Sequence, residues 1–229
     1  MRKKGFAPGR AHFLNRETGE GWERSFPYGY SIWEPTDQKP VDPEVLPFAM
    51  VIPSRAQHSI DLGNYLPDRG LVKIRFRANR ASAKDESYPS LRLSFGYKPG
   101  NNSSHDFIIS KKDIAITALP GQPEFYEWVI SMDGIRRNPF LRTKLLGMNP
   151  NASEHITIKN VHQGTKHDGS SVHIDYIEII SPYITEWPPQ SHRQLFPKEA
   201  QSDNELKNAQ IILNNFMPKA WRRPISEEY

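Results

Sequence analysis

Cysteine is absent from all 229 residues. That removes disulfides, thiolate metal centres and the Cys-x-x-Cys-His attachment of a c-type haem from this stretch of chain. Missing too is any apolar run long enough to cross a bilayer. Lys3 and Lys4 are followed by Gly5, Pro8, Arg10 and His12 with no apolar core between them, so the start does not read as a signal peptide. An export signal is therefore expected in sequence beyond this segment. Apolar residues are scarce at 37%, and the 14 glycines are outnumbered by 20 prolines, which disfavours a helical bundle and suits short strands joined by turns. Charge of one sign is lacking as well, with 30 basic against 26 acidic residues and a net +4. Nucleic-acid binders concentrate basic residues into a stripe interleaved with aromatics. Here the basic residues are spread along strands (Lys73, Arg75, Arg77, Arg92) or gathered at the termini, which reads as the wet face of a sheet.

What is present is alternation. In 71–78, Val72, Ile74, Phe76 and Ala78 fall on one face and Lys73, Arg75 and Arg77 on the other. Leu91, Leu93, Phe95 and Tyr97 repeat the pattern against Arg92, Ser94 and Lys98. Period two with one polar face is the signature of an antiparallel sheet over a core. Further strands are expected at 48–52, 107–109, 114–118, 125–132, 156–161 and 172–180, and an early one around Phe26, Tyr28 and Tyr30. Pro35, Pro40, Pro43 and Pro47 mark an extended connection. Residues 133–153 have room for a helical turn around 140–146. The fold class expected is all-β, an antiparallel β-sandwich or jelly roll, with a short helical C-terminal extension.

The character of the chain changes at Pro182. Trp187-Pro188-Pro189 is a stiff extended piece. Ser202 to Glu205 carries a capping-box pattern, and Leu206, Ala209, Ile211, Leu213 and Phe216 then predict an amphipathic helix over 203–217 that Pro218 ends or kinks. Pro224 to Glu228 reads as the cap and acidic first turn of another helix, as in a segment cut from a longer chain. The organisation expected is a linker or flexible N-terminus at 1–20, a β-sandwich at 21–181, and at 182–229 an extended linker with one helix leading into a further domain.

Five stretches carry a resemblance: GLVKIRFRANR (70–80), FYEWVISM (125–132), HIDYIEIISPY (173–183), WPPQSHRQLFP (187–197) and AWRRPISEEY (220–229). In this order they resemble large exported planctomycete proteins that join c-type cytochrome domains, domains of unknown function and a β-sandwich similar to calcium-dependent, xylan-binding carbohydrate modules. The resemblance spans roughly residues 70 to 229. It implies a non-catalytic carbohydrate-binding module, with calcium as its cofactor, that targets a larger cytochrome-containing protein to polysaccharide. It also implies flanking domains as partners, export to the periplasm or cell surface, and no haem in this segment. A structural or docking sandwich without sugar binding is the alternative.

Sugar recognition needs flat aromatic faces and polar or calcium-borne contacts to hydroxyls, and calcium takes several oxygen ligands on a bent loop. If the strands alternate direction, the loops 82–89, 119–123 and 163–171 leave the sandwich at one end and gather Asp85, Glu86, Tyr88, His167 and Asp168 there. Tyr88, Trp33, His167 and Asp85 are the expected ligand-binding residues. Asp168, Glu86 and Asp175 are the expected calcium ligands, Asp175 at a sheet edge. Each has a plainer reading: a solvated turn residue for the loop side chains, an outward aspartate for Asp175, core packing for Trp33. His162, His167, Asp168 and His173 fit no closed transition-metal spacing. Glu124 and Glu127 are close enough in sequence to suggest a glycosidase-like carboxylate pair, but on a strand they point to opposite faces. No nucleophile elbow, phosphate loop or His-Glu-x-x-His motif occurs, so no catalytic residue is assigned.

Overall fold

The computed structural model describes residues 10–22, 36, 42–83, 88–98, 104–139, 153–164, 170–197, 200 and 202–221. The chain divides into two compact units, Met1–Tyr183 and Ile184–Tyr229.

In the first unit the alternating segments become strands of two antiparallel sheets. One sheet holds β1 (His12–Asn15), β2 (Gly21–Trp22), β3 (Phe48–Ile52), β5 (Leu71–Arg80), β9 (Glu124–Ser131) and β11 (Val172–Tyr183), in the order β2-β1-β3-β11-β5-β9. The other runs β4 (Gln57–Gly63), β10 (Ser153–Asn160), β6 (Ser90–Lys98) and β7 (His105–Ile108), with β8 (Ile114–Ala115) paired on β6. From β3 onward the chain crosses between the sheets at each connection except within β6, β7 and β8, which stay in one sheet, so that β3-β11-β5-β9 faces β4-β10-β6-β7. This is jelly-roll topology.

The inward residues of both sheets make one core. Phe76, Ile74, Leu91, Leu93, Phe95, Ile156, Ile158, Val172 and Trp128 are all buried in it. Phe76 stacks on Trp128 at 4.7 Å and on Tyr126 at 5.7 Å between ring centroids. Truncating a side chain packed like Phe76 costs about 3–5 kcal/mol, so β5 and β9 are joined by aromatic packing as much as by their ladder.

Three expectations change. Residues 12–15 pair with 21–22 on one side and with β3 on the other, so the expected 1–20 linker contributes a strand to the sheet. β4 was not expected, because in Gln57–Gly63 only Ile60 and Leu62 carry an apolar signal. Arg77 is not on a wet face: it is buried, since residues 43–46 lie across that part of β5 and accept its hydrogen bonds through the carbonyls of Pro43 and Glu44. The early strand around 26–30 and the turn at 140–146 fall outside the described residues.

The second unit holds α1 (Gln190–Leu195) and α2 (Glu205–Trp221). The cap of α2 is Asn204, whose Oδ1 accepts the Lys207 N–H at 3.0 Å. Ser202 instead pairs with Asn208, its Oγ donating to Asn208 Oδ1 at 2.7 Å. The helix continues through Pro218 for three more residues rather than ending there. A proline near a C-terminus forfeits only one intrahelical bond, and the last turn also carries a Lys219 Nζ to Asn215 Oδ1 hydrogen bond at 2.8 Å.

Candidate functional site

Backbone hydrogen bonds gather the loop bases at one end of the sandwich. Arg80, the last residue of β5, donates its N–H to Ala118 at 3.0 Å, and Ala81 donates to Ser171 at 2.9 Å. Val161 donates to Ser90 at 2.9 Å. The loops after β5, before β9 and between β10 and β11 therefore leave together. Antiparallel alternation produces this, because every second connection in such a sandwich emerges at the same end.

The floor of this end is polar and tied down. Asn160 is fully buried and donates through Nδ2 to the carbonyls of Ile52 at 3.0 Å and Ser170 at 2.9 Å, while its Oδ1 accepts the His162 N–H at 3.1 Å. Ser54 and Ser170 share a short hydroxyl contact. The Tyr126 hydroxyl oxygen accepts the N–H groups of Thr117 at 3.1 Å and Ala118 at 3.0 Å, which fixes the start of the 117–123 loop from below. On top of this floor Tyr88 is 47% exposed, with the Arg80 guanidinium 5.1 Å from its ring centroid. Of the expected ligand-binding residues, Tyr88 is the one among the described residues. Trp33, Asp85 and His167, and the expected calcium ligands Glu86 and Asp168, lie outside them.

Asp175 is described, and its surroundings differ from those expected. β11 lies between β3 and β5 rather than at an edge. A register shift between Ile174 and Tyr176 leaves Asp175 and Tyr176 both on the outer face, the kind of re-aiming that a β-bulge gives. Asp175 Oδ1 accepts from Arg77 Nε at 3.0 Å, and Oδ2 accepts from Arg77 Nη2 at 3.0 Å, Arg16 Nη1 at 3.4 Å and the Leu46 N–H at 3.3 Å. A carboxylate with no exposed surface and two guanidinium partners has no oxygen to offer calcium, and the adjacent positive charges would repel the ion. These surroundings do not fit a metal site.

The rest of this outer face is a lattice of paired charges. Lys73 pairs with Glu127 at 2.6 Å, and Arg75 with Glu178 at 3.2 Å and Asp42 at 2.5 Å. Burial works against the Arg75 charge, but its hydrogen bonds to Asp42 and Glu178 prevail and raise its pKa. Arg75 also lies 3.6 Å from the Phe125 ring centroid. Burial, followed by the hydrogen bond to Glu178, pushes the Tyr176 hydroxyl up to about 12. Glu124 and Glu127 sit opposite Ala78 and Arg75, hence on opposite faces.

No known family model matches the chain, and no curated protein matches it. Solved structures of similar architecture do exist. The chain resembles the second CBM22 xylan-binding domain of Xyn10C from Paenibacillus barcinonensis, with 12% identity and a TM-score of 0.38 over 58% of this chain and 78% of that one. The first CBM22 domain of the same protein gives 9% identity and a TM-score of 0.37 over 60% and 74%. The C-terminal domain of the sugar-binding protein EclA gives 12% and 0.33 over 72% and 94%. Likenesses this distant carry no ligand across.

One constellation escaped the sequence reading. On the outer face of the second sheet, His155 of β10 and Asp106 of β7 both lie opposite Gly96 of β6. His155 Nε2 is 2.7 Å from Asp106 Oδ1 and 3.2 Å from Ser104 Oγ, which in turn donates to Asp106 Oδ1 at 3.1 Å. A side chain at position 96 would overlap both partners, so glycine permits the contact. Ser, His and Asp meet here, but a relay places hydroxyl and carboxylate on different ring nitrogens. Both face Nε2, and Nδ1 is buried with no partner among the described residues. The arrangement is a strand clasp. Its signal in the sequence is Gly96 within an otherwise regular strand.

Proposed function

We propose that the sandwich is a non-catalytic carbohydrate-binding module that engages polysaccharide at its loop end. The observation that carries this is the Tyr88 ring, half open to solvent and held against Arg80 over a rigid polar floor. An aromatic face restrained in this way presents an apolar plane with little ordering left to lose, and polar loops around it offer hydrogen bonds to hydroxyls. Trp33, His167 and Asp85 are proposed as further sugar contacts. Asp168 and Glu86 are proposed as calcium ligands that strengthen binding. Asp175 is not among them, its oxygens being engaged by Arg77 and Arg16.

The motifs at 187–197 and 220–229 support a place within a longer, exported, cytochrome-containing protein that this module directs to its polysaccharide. A docking role has support of its own: Leu206, Leu213, Phe216 and Trp221 of α2 are exposed, and no residue of that helix is buried. The test is depletion of the chain from solution by a panel of insoluble polysaccharides, alongside Tyr88→Ala. Retention of the native chain on at least one glycan, lost in the variant, is the expected result. Passage of both through every glycan leaves the docking role standing instead.

A further inference from the structure

Leu206, Ala209, Leu213 and Phe216 recur along α2 at spacings of three and four, and Ala220 continues the series. That is the period of a coiled-coil seam, narrower than the face a helix turns to a globular core. All five residues are exposed, Leu206 at 84%, Leu213 at 51% and Phe216 at 50%, so the seam is open along its length. α1 takes a different side of the helix. Asn215, whose Nδ2 donates to the Gln194 carbonyl at 2.8 Å, is half-buried together with Asn208, Ile211 and Pro218. That side lies roughly 160° around the helix from the seam. The charges of α2 are Glu205, Lys207 and Lys219, and none falls between 208 and 218. Glu205 and Lys219 stand on the same border of the seam with opposite sign, two heptads or about 21 Å apart. Lys219 Nζ donates to Asn215 Oδ1 at 2.8 Å, an exposed contact that costs little to exchange.

We propose that this seam is a self-association surface, on which α2 of a second copy of this chain lies antiparallel. Charge complementarity selects both the occupant and its direction. A two-fold axis crossing the seam between Ala209 and Leu213 sets Leu206 against Phe216 of the second copy and Ala209 against Leu213 of the second copy. The same operation brings Glu205 to Lys219 of the second copy, and does so twice, because a two-fold contact repeats every pair. A parallel arrangement turns the border of Glu205 toward that of Gln210 and Met217, which carry no charge, and neither ion gains a partner. The apolar seam supplies the affinity, and the ion pairs at its border set the direction. The inference is independent of what the loop end of the sandwich binds.

Sedimentation equilibrium of the full chain over a range of concentrations tests this. The mass should rise with concentration from 26.4 kDa toward twice that value. Leu213→Glu puts a charge in the middle of the seam and should weaken association at least tenfold. Its circular dichroism and thermal midpoint should stay native, because the side chain it replaces is exposed. Glu205→Lys and Lys219→Glu, each alone, set like charges against each other at both ends and should weaken association severalfold. An equimolar mixture of these two variants restores Lys–Glu pairs at both ends and should associate as the native chain does. A single-chain mass at every concentration overturns the inference and leaves the seam to a partner other than a second copy. A dimer that survives Leu213→Glu overturns it too, because the contact then lies elsewhere. Charge variants that associate normally alone, or whose mixture fails to recover, overturn the antiparallel pairing.

Discussion

The Arg77 guanidinium and the Asp175 carboxylate meet at two points, each 3.0 Å, across β5 and β11. Both side chains are buried. Arg77 also holds the carbonyls of Pro43 and Glu44, so the pair fastens residues 43–46 onto the sheet.

Removing one partner strands the other. Asp175→Asn keeps the shape and loses the charge, and should cost about 3–5 kcal/mol, since a buried guanidinium is left uncompensated. Chemical denaturation of Asp175→Asn, Arg77→Met and the double variant checks this. The double variant should lose less than the sum of the two.

His173 supplies a pH signature. Burial, followed by the positive charges of Arg16 and His12, lowers its pKa from 6.5 to about 4. Between those values the unfolded chain binds a proton that the folded chain refuses, so this residue makes stability fall as pH drops through that window and is neutral above it. The full effect is at most about 3 kcal/mol. Denaturation midpoints of the native chain and His173→Gln, followed from pH 7 to pH 4, should show a shallower decline in the variant.

Gly96→Ala places a methyl group against the Asp106 carboxylate and the His155 ring. The strand must shift or the clasp open, at a cost of about 1–3 kcal/mol. Loss of the Nε2 contact would be read in the His155 ring chemical shifts by NMR, and unchanged ring shifts would contradict the assignment.

Tyr126→Phe removes an acceptor shared by two loop amides while preserving the stack on Phe76. A loss of about 1–2 kcal/mol follows, together with faster amide exchange at Thr117 and Ala118.

The second unit should be dispensable to the first. A chain ending at Tyr183 retains the whole of the core and should unfold cooperatively, with strand-dominated circular dichroism.

Much of the fold is written in local alternation: β5 and β6 declare their inward faces residue by residue, and so do β9 and β11. β4 does not, because His58, Asp61 and Gly63 dilute the two apolar residues it contributes. The convergence of three loops at one end follows from alternating strand direction and is legible. The partner of Asp175 is not, because Arg77 lies 98 residues away and it is residues 43–46, laid over the outer face, that bury the pair. Nor does the helix start separate Ser202 from Asn204, since both are good caps and the choice rests on the contact between Ser202 and Asn208.

Isothermal titration of the full chain with soluble polysaccharides, in calcium and then in chelator, tests the central claim most directly. Saturable binding with a dissociation constant in the micromolar to millimolar range (roughly −4 to −8 kcal/mol), abolished by Tyr88→Ala and weakened by chelator, is the result predicted. No heat with any glycan in either condition would contradict it.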